Sequence, residues 1–249
     1  IAGFPSKTNV QMLLKDPKVS SFNARGLTLM PSFIDMHAHF RDPGLTQKED
    51  IETGSKAAAA GGYGLLVLMP NTNPVISSQE AALANDKKAA DLGFADVIQS
   101  VSITKDFDGK TISHLEELNA KSVPVITEDG KEVADSDIMF RAMCTAAKKK
   151  LIVACHCEDP SLAAAARPLR KEALEQASAD KGRAVKLLKQ ADEILQLAED
   201  CATFRNIRLA EQSGCRLHLC HVSTAKCIEA VHRAKKEGIK VTCEITPKP

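Results

Sequence analysis

Short runs of β-branched residues and leucine alternate with alanine- and charge-rich stretches of helical length, the pattern of a parallel sheet built from βα units. Seven strands are predicted, near residues 33–37, 65–69, 96–103, 123–127, 151–156, 216–221 and 239–245. Most strand starts lie about 25 to 32 residues apart, as a βα repeat requires, but the step from the fifth strand to the sixth is about twice that. The charged, alanine-rich stretch 159–199 is therefore expected to be a helical insertion above the sheet. Thr46 with Glu49 and Ser77 with Glu80 have capping-box spacing, and Gly93, Gly214 and Gly238 fall where helices should stop. Over residues 33–249 this spacing predicts an α/β fold, a (β/α)8 barrel of TIM type that lacks its last unit. Seven strands alone would leave two open sheet edges, so further residues are expected after Thr246-Pro247. Residues 1–32 break the period and are expected to be the remnant of a small β-region leading into the first strand.

Composition narrows the partners. The 249 residues, 44% hydrophobic and 26% charged, suffice for one buried core, which sets disorder aside. Lys+Arg (33) nearly balances Asp+Glu (32), giving a net charge of +1 with no basic block. Neither nucleic acid nor an anionic membrane is indicated, and a small-molecule substrate is the default. No apolar run reaches the roughly 18 residues that span a bilayer, and no signal pattern opens the chain. The eight cysteines are scattered without a CxxC pair, which fits reduced thiols in a cytoplasmic protein. Because the chain opens with Ile1, it is expected to be an excerpt of something longer.

Four of the seven histidines fall at the carboxyl ends of predicted strands, the rim where barrel enzymes place their active sites. His37 and His39, two apart on an extended strand, project from one face and can reach one metal ion. Such a pair alone is more often structural, and its place at a strand end reverses that preference. His156 ends the fifth strand, His221 the sixth and Asp129 the fourth. If His156 faces the barrel mouth, alternation turns Cys155 and Cys157 away. His218 and His221 are an odd number apart, so only one should point inward; His221, nearer the strand end, is the expected ligand and His218 a packed residue. His114 and His232 are expected on helix surfaces. Glu128 and Asp129 likewise cannot share a face, and Asp129 lies in register with Val125 and Thr127.

Four imidazoles and a carboxylate exceed what one structural zinc takes and point to two metals bridged by Asp129 and an activated water, against the alternative of a polar rim without metal. Asp35 either orients a histidine from behind or lines the core with another partner. Arg41 continues the parity of His37 and His39, placing a cation that can hold a substrate carboxylate, although such a residue is often a surface ion pair. Asn71 either adds a neutral contact to that anion or serves only the turn.

The stretch Ile34-Asp35-Met36-His37-Ala38-His39-Phe40-Arg41-Asp42-Pro43-Gly44 is followed in order by Met69-Pro70-Asn71-Thr72-Asn73-Pro74, Thr127-Glu128-Asp129-Gly130, Ala154-Cys155-His156-Cys157-Glu158-Asp159 and Cys220-His221-Val222-Ser223-Thr224. Together these motifs, from about residue 27 to 247, resemble the dihydroorotase family of the amidohydrolase superfamily. The resemblance implies a zinc-dependent hydrolase that reversibly closes N-carbamoyl-L-aspartate to dihydroorotate in de novo pyrimidine biosynthesis. It implies two Zn2+ per subunit, with His37 and His39 on one, His156 and His221 on the other, Asp129 between them, and Arg41 and Asn71 on the substrate carboxylate. An aspartate bridge places the chain with the class I dihydroorotases, whereas hydantoinases and allantoinases use a carboxylated lysine; Lys131 lies past Gly130, in a loop. A homodimer is expected from the same resemblance. Two rivals remain: another cyclic amide hydrolase with a different anion clamp, and a catalytically silent relative serving as a scaffold for aspartate transcarbamoylase. The sequence departs from the family twice. The general acid/base aspartate of the eighth strand has no counterpart here, so no catalytic residue is assigned, and Lys248-Pro249 follow Thr246-Pro247 where the family has histidines.

Overall fold

The computed structural model describes residues 6–245, and the chain divides between Ser32 and Phe33 into two units. In the first, Ser6 accepts a hydrogen bond from the Asn9 N–H and so starts helix α1 (Lys7–Leu13), which buries none of its side chains. Where a β-region was expected over 1–32, the described residues 6–32 hold α1 and irregular chain and no strand. The reason is local: the serine cap favours a helix, and the helical stretch has a single β-branched valine, Val10, after its opening turn.

The second unit is an α/β arrangement of parallel strands. Its elements are β1 (Phe33–Ala38), α2 (Ile51–Ala60), β2 (Tyr63–Leu68), α3 (Gln79–Leu92), β3 (Asp96–Gln99), β4 (Val101–Ser102), β5 (Val125–Thr127), α4 (Ser136–Lys149), β6 (Ile152–Cys155), α5 (Pro160–Gln176), α6 (Lys181–Ser213), β7 (Arg216–Leu219), α7 (Ala225–Lys236) and β8 (Val241–Cys243). The strands pair in the orders β1-β2-β3 and β4-β5-β6-β7-β8, and every recorded pairing is parallel. The third expected strand, 96–103, is thus two strands that break at Ser100. The Ser100 N–H still reaches the Leu68 carbonyl (3.0 Å), but the Ser102 N–H turns to Ile76 (2.9 Å), so β3 stays with β2 while β4 joins β5. The expected insertion is helical: α5 packs along α6, and α6 runs on for 33 residues to become the helix that precedes β7. Thr246-Pro247 and Lys248-Pro249 lie outside the described residues.

Alternation sorts the strand side chains into two layers. Leu66 and Leu68 pack outward with Ile51, Ala58 and Ala89 of α2 and α3. Ile126, Val153, Cys155, Cys157, Leu217, Leu219 and Val241 belong to the large core that includes Met139, Met143 and Ala146 of α4. Val67, Met69, Val125, Ala154 and Cys220 form a separate inner cluster on the other face. Cys155 and Cys157 therefore face away from the inner side, as alternation predicts, and all eight cysteines are free thiols. No described helix is long and apolar enough to cross a membrane.

Helix ends follow side-chain chemistry, displaced slightly from expectation. Asp50, not Thr46, caps α2 by accepting from the Thr53 N–H (2.8 Å), and Ser78, not Ser77, caps α3. Ser77 is drawn instead to Asp106, whose N–H it accepts at 2.8 Å. Gly93 and Gly214 end α3 and α6 in the left-handed conformation.

Gln99 ties the first sheet together. Its side-chain amide donates to the carbonyls of Leu68 (3.1 Å), Met69 (3.3 Å) and Ser100 (3.0 Å), while its backbone N–H donates to Asp86 of α3 at 2.7 Å. Burial pushes the Asp86 carboxyl up to about 6, against the opposing hydrogen bond from Gln99. Since the folded chain holds this proton more tightly than the unfolded chain, the contribution of Asp86 to stability is greatest at low pH and is lost as pH rises through about 6. Asp86→Asn keeps an oxygen for Gln99 and is expected to raise Tm by about 2–4 °C at pH 7.5 and to leave it unchanged at pH 3.5. Thermal melts at the two pH values check this, and an equal shift at both would refute it.

Candidate metal centre

Every strand-end residue singled out in the sequence comes to one place. His37 lies on β1 and His39 one residue past it; Asp129 is two past β5, His156 one past β6 and His221 two past β7. His37 Nε2 is 3.2 Å from His39 Nε2 and 3.0 Å from Asp129 Oδ1, and His39 Nε2 is 3.5 Å from Asp129 Oδ2. His156 Nδ1 is 2.9 Å from His221 Nε2, and the rings of His37 and His221 lie 5.3 Å apart. One ligand atom each from His37, Asp129 and His221 falls within 4.8 Å of the others. Imidazole nitrogens turned toward one another around a carboxylate form a donor set suited to cations. The residues present therefore fit metal ions in number and in kind.

Alternation placed Asp129 correctly, two residues past β5, but it does not hold where the backbone turns to positive φ. His218 and His221 both turn to the inner side, which corrects the expectation that only one would, while His221 meets His156 and His218 is a packed, hydrogen-bonded residue as expected. β7 stops at Leu219, and His221, with φ +38°, turns its ring back toward His156. His218 stays in the strand, buried, with Nδ1 2.8 Å from Thr242 Oγ1. Arg41 likewise lies beyond β1 and has φ +56°, so strand parity does not place it. Its Nη1 donates to the Asn71 carbonyl at 3.4 Å. Asn71 is engaged within the cluster: Oδ1 meets His39 Nδ1 at 3.1 Å, and Nδ2 donates to Asp129 Oδ2 at 2.6 Å. Asp35 accepts from the backbone N–H of His37 at 2.9 Å, so it braces the strand rather than an imidazole ring.

The neighbouring loops hold these groups in place. Asp42 pairs with Lys88 of α3, and its carbonyl accepts from Asn85 Nδ2 at 2.8 Å, which pins the chain next to Arg41. Glu128, buried beside Asp129, accepts from Thr104 through both its N–H (2.9 Å) and its hydroxyl, and points away from the cluster. Glu199 of α6 accepts from the N–H groups of Ser223 (2.7 Å) and Thr224 (3.1 Å), and Asp200 accepts from the Thr224 hydroxyl (2.7 Å). These bonds fix the loop that follows His221. A cleft of about 540 Å3 opens there between His156, His221, Glu158 and the α6 residues Asp192 and Glu199.

Electrostatics divide the cluster. Burial opposes ionisation of Asp129, but the adjacent His37, His39 and His156 outweigh it and hold the carboxyl below its ordinary value. Burial also opposes a charge on His37, yet its contacts with Asp129, Cys220 and Glu244 push it up to about 12. His39 is lowered by burial, and His221 by burial together with His156 and His37.

Sequence reasoning missed Glu244 and misplaced His114. Glu244 lies one residue past β8, with Oε1 3.1 Å from His37 Nδ1 and Oε2 3.3 Å from His218 Nε2. Burial would raise its carboxyl, but His218 and His37 draw it down to about 2. The strand-end rule that found Asp129 applies equally to the predicted strand 239–245 and could have found it. His114, expected on a helix surface, is buried in a short 3₁₀ turn with Nε2 2.9 Å from the Ser102 carbonyl. His232 is exposed on α7, as expected.

Parallel α/β strands with four imidazoles and one buried carboxylate gathered at their carboxyl ends define a protein built to present a metal-binding set of side chains. The chain belongs to the dihydro-orotase-like family, a model of which matches residues 26–227. It is 39% identical over 235 residues to a dihydroorotase of Clostridium botulinum (strain Eklund 17B / Type B), covering 94% of this chain and 52% of that protein. It is 40% identical over 225 residues to a dihydroorotase of Sulfurihydrogenibium sp. (strain YO3AOP1), covering 90% and 50%. The chain thus spans about half the length of the curated relatives it matches. Among solved structures it is similar in fold to L-hydantoinase (dihydropyrimidinase) from Arthrobacter aurescens, with a TM-score of 0.70 at 23% identity over 88% of this chain and 47% of that one. Dihydropyrimidinase from Brevibacillus agri NCHU1002 gives 0.71 at 25% identity over 93% and 50%.

Gly44 shows how tightly the loops beside this centre pack. It has φ +81°, and a Cβ there would lie 1.7 Å from the Asn73 carbonyl oxygen. Gly93 also has a positive φ, +71°, but a Cβ there would meet open space. Gly44→Ala is therefore expected to cost at least about 1–3 kcal/mol, and distinctly more than Gly93→Ala. Urea unfolding of the two variants checks this; equal losses would mean that backbone strain alone, and not the loop contact, sets the cost.

Proposed function

We propose that this site is that of a zinc-dependent cyclic amide hydrolase of the dihydroorotase type, interconverting N-carbamoyl-L-aspartate and dihydroorotate. The observation that carries the reading is the meeting of five residues from four separate strand ends: His37, His39 and Asp129 lie within 3.5 Å of one another, His156 and His221 are 2.9 Å apart, and the ligand atoms of His37, Asp129 and His221 fall within 4.8 Å of one another. His37 and His39 would hold one Zn2+, His156 and His221 a second, and Asp129 both. When bound, the metals supply Lewis-acid polarisation of the ring amide carbonyl and a water of lowered pKa.

The chain's own residues provide orientation. Arg41, anchored on the Asn71 carbonyl, offers a planar guanidinium to a substrate carboxylate, which it can grip through two hydrogen bonds. Asn71 holds His39 and Asp129 in the arrangement described above, and its amide would reach the anion only by exchanging one of those bonds. Lys131, the nearest lysine in sequence to Asp129, has its Nζ over the Phe107 ring at 5.4 Å, which supports an aspartate rather than a lysine as the bridge. No residue of this chain is assigned as general acid/base. The contact between Glu244 after β8 and His37 of β1 supports reading the strands as the wall of a (β/α)8 barrel. A homodimer in a reducing cytoplasm belongs to the same proposal, and the eight free thiols are in keeping with it.

Metal analysis of the purified protein is expected to find about two zinc ions per chain, and Asp129→Ala to lose most of both. Arg41→Ala is expected to keep its zinc and to weaken dihydroorotate binding about tenfold or more by calorimetry. Absence of metal would refute the reading. Tighter binding or faster turnover of hydantoin than of dihydroorotate would shift the substrate class, and metal with no turnover of either would place the chain among the silent relatives.

A further inference from the structure

Glu244 takes no part in the ligand set above, yet it touches that set from behind. Its Oε1 lies 3.1 Å from His37 Nδ1, on the opposite side of the ring from Nε2, which meets Asp129 at 3.0 Å. Its Oε2 lies 3.3 Å from Nε2 of His218, and Nδ1 of that ring is 2.8 Å from the Thr242 hydroxyl. Thr242 and His218 are register partners on β8 and β7, and Glu244 follows two residues after Thr242. Thr242, His218, Glu244 and His37 thus form one continuous polar chain that ends on the imidazole in closest contact with Asp129.

An imidazole has two nitrogens, and a carboxylate at one of them decides which keeps its proton and how the ring is turned. A carboxylate partly withdrawn from water is stabilised when its oxygens have polar partners, and here Oε1 is hydrogen-bonded to the His37 ring while Oε2 lies 3.3 Å from Nε2 of His218. We propose that Glu244, braced by His218 and Thr242, is a positioning residue that keeps the proton of His37 on Nδ1 and so reserves Nε2 for a metal ion. This rests on the metal reading given above. The trio His37, Cys220 and Glu244 also has its ligand atoms within 4.8 Å of one another, so the rival role for Glu244 is direct ligation of a cation on the Nδ1 side of the ring.

Nuclear magnetic resonance of 15N-histidine-labelled protein separates these roles. A slowly exchanging Nδ1–H signal of His37, assigned by its loss in His37→Gln, is expected both without metal and with added Zn2+. It should vanish in Glu244→Ala and persist in Glu244→Gln, whose amide oxygen still accepts. Zinc affinity, measured by competition with a chromophoric chelator, should fall about 10–100-fold in Glu244→Ala and less in Glu244→Gln. Disappearance of the signal when zinc is added to the unaltered protein would overturn the proposal in favour of ligation, and so would unchanged zinc affinity in Glu244→Ala. If Glu244→Ala does not fold, Glu244→Gln decides: a retained signal with weakened zinc binding supports the proposal, and unchanged binding overturns it. A protein that binds no zinc but loses the signal in Glu244→Ala would keep the link between Glu244 and His37 and sink the metal reading instead.

Discussion

One carboxylate governs how the strand ends meet. Asp129 is almost wholly buried, and an isolated anion in such a place would be strongly unfavourable. It persists because its oxygens are engaged by His37 from β1, by Asn71 from the loop after β2, and more distantly by His39. Those partners are far apart in sequence, so they can converge only if the parallel strands keep their register and the sheet bends enough to bring β1 opposite β5. Register, curvature and centre are thus one requirement seen at three scales.

Much of the surrounding structure serves to keep that convergence rigid. Asn85 and Lys88 of α3 secure Asp42, Gly44 lies close under the Asn73 carbonyl, Thr104 holds Glu128, and Glu199 and Asp200 secure the loop past His221. None of these groups belongs to the ligand set. Each fixes backbone within a few residues of a group that does, which is how loops come to present side chains with strand-like precision.

The strands were legible because the βα period is strong, and the ligand candidates because polar residues at the ends of apolar strands have few structural uses. Alternation correctly separated Asp129 from Glu128 and His156 from Cys155 and Cys157. It failed where the backbone past a strand gives up the extended conformation. His221 and Arg41 adopt positive φ, a conformation that no periodicity of side chains encodes. The break at Ser100 was hidden because the stretch 96–103 is rich in β-branched residues (Val97, Ile98, Val101, Ile103) and has no glycine or proline to mark a stop, whereas the partner of each half is decided by tertiary contacts. Ser6 accounts for the helix at Lys7–Leu13, which the strand pattern did not anticipate. Glu244 was not legible because its place depends on His37 and His218, neither of which is near it in sequence.

The continuity of α6 has a consequence for how this region can vary. Its 33 residues form one rod about 50 Å long, whose upstream part carries α5 and whose middle grips the loop after His221. Each residue added or removed upstream of Glu199 within the rod would swing α5 around it by about 100° and slide it by about 1.5 Å. Length changes that spare the packing are therefore confined to the short turn at residues 177–180 between α5 and α6, where chain can be gained or lost without rotating anything.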